Sequence, residues 1–215
     1  VTEIRRGLPP LTPRIAKLPV DPRGYPVPWF VAKVNGAYDF RVVEPSRKAV
    51  ALRDHRCWIC GEKLGRFLAF VIGPMCVVNR NTSEPPSHLD CAEYAVKACP
   101  FLMRPKAQYR TANLPEGSRV PFGSLPGNPG AQAIYSCNSF QAYRVSAVLP
   151  DVLMRLGPPT NVSWWAEGRP ATRTEVLDAI AGRLHFLEEA AKTEGDAALR
   201  HLEREIAVAM KYLPV

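Results

Sequence analysis

Cys57 to Cys99 reads CWICGEKLGRFLAFVIGPMCVVNRNTSEPPSHLDCAEYAVKAC and decides the fold. It opens with Cys57-Trp58-Ile59-Cys60-Gly61, a Cys-x-x-Cys turn that sets two thiolates on one side of a tetrahedron, the geometry zinc takes with soft or borderline donors. Gly61 suits the turn because the chain must double back through a backbone angle that other residues resist. The second pair is His88-Leu89-Asp90-Cys91, where Ser87 reads as a helix N-cap and Asp90, three residues on, completes a near capping box. At a spacing of i, i+3, His88 and Cys91 share one side of the first helical turn. Cys57, Cys60, His88 and Cys91 are therefore the expected ligands of one Zn2+ ion. Cys76 and Cys99 are reserve ligands, either able to replace His88, and Cys137 reads as a lone strand cysteine. Other readings of these cysteines are small buried hydrophobes or a redox pair. A charged turn and an apolar run follow Cys60, which is not the strand-then-helix setting of a thioredoxin-like dithiol.

Between the ligand pairs, Phe67–Ile72 has the composition of a buried strand. Gly73-Pro74 reads as a turn and Met75–Arg80 as the returning strand. A polar run through Asn79, Arg80 and Glu84 feeds the ligand helix, with Arg80 either touching phosphate or carboxylate or pairing with Glu84 to hold the loop. The helix is expected to stop at Cys99-Pro100, since proline disfavours helical geometry in the residue before it. A knuckle, a hairpin and a helix carrying the second ligand pair resembles a treble-clef zinc finger.

Outward toward the N-terminus, Asn35-Gly36 between Trp29–Val34 and Tyr38–Val43 is a strong hairpin signal. A short helix from Arg47 to His55 leads into the knuckle. Residues 1–28 hold Pro9, Pro10, Pro13, Pro19, Pro22, Pro26 and Pro28, so they read as an extended basic arm that packs along a surface. Toward the C-terminus, residues 104–132 form a Pro/Gly-rich connection between a zinc-binding α+β domain at 29–103 and an α+β region at 133–215. Strands are expected at Ala133–Cys137, Ala142–Val145 and Val162–Trp165, and a short helix or turn at Asp151–Leu156. Thr172-Arg173-Thr174-Glu175 is a capping box that opens a helical hairpin broken at Glu194-Gly195-Asp196, with Glu203, Arg204 and Glu205 facing outward. The fold class is α+β: small β-hairpins around a treble-clef-like site, then a second α+β portion ending in the helical hairpin, a surface for oligomerisation if exposed.

Apolar content of 47% and charged content of 22% are those of a globular chain. No apolar run reaches the eighteen residues a membrane helix needs. VTEIRRGLPPLTPRIAKLP lacks the apolar core of a secretion signal, so a reducing, cytoplasmic compartment is expected. The net charge of +8 is uneven: residues 1–110 carry eighteen Lys/Arg against nine Asp/Glu, and residues 171–215 six against eight. A basic N-terminal half points to a polyanion, nucleic acid being the commonest. Arg47, Lys48, Arg53, Arg56, Lys63 and Arg66 flank the knuckle and, with Arg80, are the candidate phosphate contacts.

PRGYPVPWFV at Pro22–Val31, CWICGEKLGRFLAFVIGPMC at Cys57–Cys76, EPPSHLDCAEYAVKACPFL at Glu84–Leu102 and WWAEGRPATRTEVLDAI at Trp164–Ile180 together resemble a family of uncharacterised bacterial and bacteriophage proteins. The resemblance implies the zinc pairs and a mobile-element origin, hence a host cytoplasm, and no activity. Three functions follow as expectations. The first is a zinc-stabilised binding protein that contacts nucleic acid or a nucleic-acid-handling complex. The second is a protein–protein inhibitor or adaptor of the phage type. The third is a zinc-dependent nuclease or base-modifying enzyme with Glu84 as base. The last is disfavoured, because the deaminase signature of His-x-Glu followed by Pro-Cys-x-x-Cys is absent and the segment Phe67–Arg80 has no histidine to activate water.

Overall fold

The computed structural model describes residues 2–110, 112–115, 127–144 and 152–215. Prolines keep the first residues out of long helices, and a single 3-10 turn at Ile15–Lys17 interrupts an otherwise extended arm. The arm lies on the protein: Ile15 is buried in a cluster with Cys57, Ile59, Cys91 and Tyr94. Strands β1 (Val31–Val34) and β2 (Ala37–Val43) form the expected hairpin, with Asn35 and Gly36 both at positive φ, 49° and 81°. That is the primed turn whose twist matches paired strands. Helix α1 (Arg47–Arg53) follows. The unit docks on the knuckle through Trp29 N–H donating to the Ile59 carbonyl at 2.7 Å and through Phe30 stacked on Trp58 at 4.8 Å.

Strand β3 (Leu68–Ile72) forms within the apolar run, but Phe67, expected as its first buried residue, lies outside it and is exposed. The returning strand does not form. Pro74–Asn79 is a helix, α2, with Gly73 as its N-cap and Pro74 in its first turn. Proline at the start of a helix loses no hydrogen bond and has the right φ already. Burial of Met75, Val77 and Val78 outweighs the strand preference of the valines. Arg80 closes α2 in the left-handed region at φ 52°. A two-residue strand β4 (Asn81–Thr82) leads on to α3 (Leu89–Ala98), which ends at Cys99 as expected. Its N-cap is His88 rather than Ser87. Ser87 is buried instead, exchanging both backbone hydrogen bonds with Ala69 in an antiparallel bridge, so the expected capping box does not form.

Beyond the connection come β5 (Gln132–Cys137), β6 (Phe140–Arg144), β7 (Val152–Leu156), β8 (Pro159–Ala166) and β9 (Arg169–Pro170). The segment expected as a short helix or turn is β7, the central strand of a three-stranded sheet ordered β4-β7-β6. Five residues are too few to show a helical period, and Met154 and Leu156 alternate into the core with exposed Arg155 between them. Asp151 and Val145, and Gly117, Pro121, Gly123 and Pro126 of the connection, lie outside the described residues.

The larger sheet has the order β3-β5-β8-β9, antiparallel throughout, with Leu68↔Cys137 to Ile72↔Ala133 as its first register. Period-2 alternation splits its faces. Phe70, Tyr135 and Trp164 meet the main core under α2 and the C-terminal helices, whereas Ala69 and Ile134 meet Ala92 and Val96 of α3. Helices α4 (Arg173–Glu194) and α5 (Asp196–Ala209) make the helical hairpin, opened by the Thr172–Glu175 capping box and broken at Gly195, φ 97°. Glu205 does not face outward. It is buried, and takes both Arg80 Nη2 at 2.7 Å and Arg80 Nε at 3.0 Å, so the loop tie expected between Arg80 and Glu84 is replaced by a link from α2 to α5. Among the described residues no helix is long and apolar enough to cross a membrane.

Candidate metal centre

The knuckle is a miniature antiparallel ribbon. Arg56 pairs with Lys63, Cys57 N–H donates to the Glu62 carbonyl at 2.8 Å, and Gly61 N–H donates to the Cys57 carbonyl at 2.9 Å. Gly61 is required twice over: its φ is +75°, and a Cβ there would sit 2.6 Å from the Trp29 ring. The bridge between Ala69 and Ser87 then brings the start of α3 to the ribbon.

Those two constraints collect Cys57, Cys60, His88 and Cys91, whose ligand atoms all lie within 4.8 Å of one another. His88 Nδ1 is 3.4 Å from Cys60 Sγ and 4.0 Å from Cys91 Sγ. Donors on a tetrahedron with metal–sulfur bonds of 2.3 Å are about 3.8 Å apart, so the cluster can hold a metal ion with small adjustments. Cys76 and Cys99, the reserve ligands, are not in the cluster. Burial pushes the Cys76 thiol up to about 11 and raises that of Cys99, as suits packed thiols.

The surroundings tune the donors. His88 Nε2 lies 3.0 Å from the Lys63 carbonyl, which can only accept, so Nε2 carries the proton and Nδ1 keeps its lone pair for a metal. Cys57 Sγ accepts from the backbone N–H of Cys60 and of His88, both at 3.4 Å. Crowded together, the thiols compete for negative charge. Hydrogen bonds from Cys60 and Cys91 push Cys57 strongly down, and the same bonds to Cys57 push Cys60 up to about 11 and Cys91 further up. A bound dication relieves that conflict.

The arm clasps the site. Arg14 reaches Asp90 of α3 at 2.9 Å and Glu62 of the knuckle at 3.4 Å, and Lys17 reaches Glu62 at 2.7 Å. Nothing in the local spacing announces this clasp, beyond the expectation that a basic arm packs along a surface. Glu84, considered as a base, accepts Trp58 Nε1–H at 2.7 Å, and burial pushes its carboxyl up.

The seven candidate phosphate contacts divide by environment. Arg47 lies over the Trp29 ring at 4.4 Å, Lys48 on the same helix is half-buried, Arg53 pairs with Asp54 at 2.7 Å, and Arg80 is taken by Glu205. Arg56, Lys63 and Arg66 are exposed around the knuckle, and none of them is in a salt bridge among the described residues. Arg56 Nη1 also donates to the Gly61 carbonyl at 3.0 Å. No family model matches the chain, and neither a curated protein nor a solved structure matches it.

Proposed function

We propose a zinc-stabilised binding protein in which Zn2+, held by Cys57, Cys60, His88 and Cys91, fixes the knuckle so that its rim contacts nucleic acid. The observation that carries this reading is the exposed trio Arg56, Lys63 and Arg66, spread around one metal-ligand turn and left out of salt bridges. Three thiolates and one imidazole are the donor set of a structural zinc site. Four protein donors complete a tetrahedron and leave no position for a reacting water, which favours a scaffold over a catalytic metal. Reduced thiols are required for that scaffold, in keeping with a cytoplasmic setting.

Phosphate contacts release counterions, so affinity must fall with salt. With three contacts, raising salt fourfold from 50 to 200 mM should weaken duplex binding by about 40-fold. Lys63→Gln with Arg66→Gln spares the backbone carbonyl that holds His88, and should remove most of that slope while zinc content stays unchanged. Binding indifferent to both salt and this double substitution would refute the reading and favour a protein partner.

A further inference from the structure

Phe67 is 73% exposed and Leu89 48% exposed, both unusual for large apolar side chains beside a buried centre. Ala69 and Ser87 exchange two backbone hydrogen bonds across an isolated antiparallel bridge, with Phe67 two residues before it and Leu89, the first residue of α3, two residues after it. Phe67 follows Arg66 directly, and Lys63 is joined to the metal cluster through its carbonyl on His88. Between them Gly65 lies open, with nothing within 4 Å of the position a side chain would take. An exposed aromatic ring thus follows directly on an exposed cationic side chain, at the start of β3 where Leu68 is already in the core.

We propose that this rim is a single-strand nucleic-acid site, in which an unpaired base stacks on Phe67 while Arg66, Lys63 and Arg56 hold the flanking phosphates. The proposal rests on the nucleic-acid reading above and narrows it to one substrate class. Duplex DNA hides its base faces, whereas a single strand offers an aromatic face and a phosphate at every nucleotide, the combination this surface complements. Stacking tolerates any base, so the site reads strandedness rather than sequence. A protein partner would match the apolar residues but would bring no phosphates to Arg56, Lys63 and Arg66.

The test uses the full zinc-loaded chain with labelled 15-nucleotide oligothymidylate and oligoadenylate and a 15-base-pair duplex, read by anisotropy across a salt series. The single strands should bind more tightly than the duplex. Phe67→Ala should weaken single-strand binding by about 5- to 100-fold without changing the salt slope. Phe67→Trp should restore it, with indole fluorescence quenched on binding. Lys63→Gln with Arg66→Gln should flatten the slope and leave the Phe67 effect in place. Equal affinity for duplex and single strand, an unaltered Phe67→Ala, or a loss that Trp does not restore would overturn the stacking site while the phosphate reading stood. Absence of salt-dependent binding to any of the three probes would remove both.

Discussion

At the scale of single residues, His88 shows how an unfavourable arrangement is made to work. Its ring is held at one nitrogen by a backbone carbonyl, so the other is presented to three sulfurs in a fixed tautomer. Protein purified without chelator should contain about one zinc per chain by elemental analysis. Cys57→Ser or Cys91→Ser should lose most of it and lower the unfolding temperature, because three donors hold metal poorly. Wild-type zinc content and stability in both variants would reduce these cysteines to packed thiols. The ligands were legible because all four announce themselves within two short local motifs. Arg80 and Glu205 were not, since a buried ion pair between residues 125 positions apart leaves no trace in either neighbourhood. Arg80→Ala strands a buried carboxylate and should cost about 2–4 kcal/mol in urea unfolding. A cost below about 1 kcal/mol would show that water relieves Glu205.

At the scale of elements, the same limit decided which segments could be read. The β1–β2 turn and the α4 cap depend on adjacent residues, and both formed as read. Segments α2 and β7 are six and five residues long, and their conformation is set by the core they fill. The α4 cap carries its own pH signature. The Arg169 guanidinium, then the Thr172 N–H, hold the Glu175 carboxyl down at about 2 from an ordinary 4.5. The ionised cap therefore contributes fully above about pH 4.5, and its contribution is lost as pH falls through 2. The group is solvent-exposed, so screening keeps the effect to about 1 kcal/mol or less. Glu175→Gln should be less stable than wild type at pH 6, and the two should converge toward pH 2. A difference that stays constant over that range would assign the effect to packing.

At the scale of the whole molecule, the buried residues divide into clusters of unequal size, and the one around the metal ligands is separate from the one beneath the sheet. The cluster around the metal has six buried residues, whereas the core beneath the four-stranded sheet draws on β3, β5, β7, β8 and three helices. Chelation should therefore loosen the protein from one side. Hydrogen exchange should speed up first at residues 14–18, 57–64 and 88–98, while 132–137 and 159–166 stay protected. Uniform loss of protection would mean that metal and sheet form one cooperative unit. The α+β class was readable in the chain, but the pairing of β3 with β5 was not, because strand partners across a long connection carry no local code.

The clasp of the arm also sets an order of events. Ile15 and Arg14 leave the ribosome before the surfaces they need, because Cys91 and Asp90 are made some seventy-five residues later. At 5–20 residues per second that is a wait of about 4–15 s. During that interval the arm has no site to dock on. The arm thus waits on residues made well after it, and its docking reports that the centre behind it is complete.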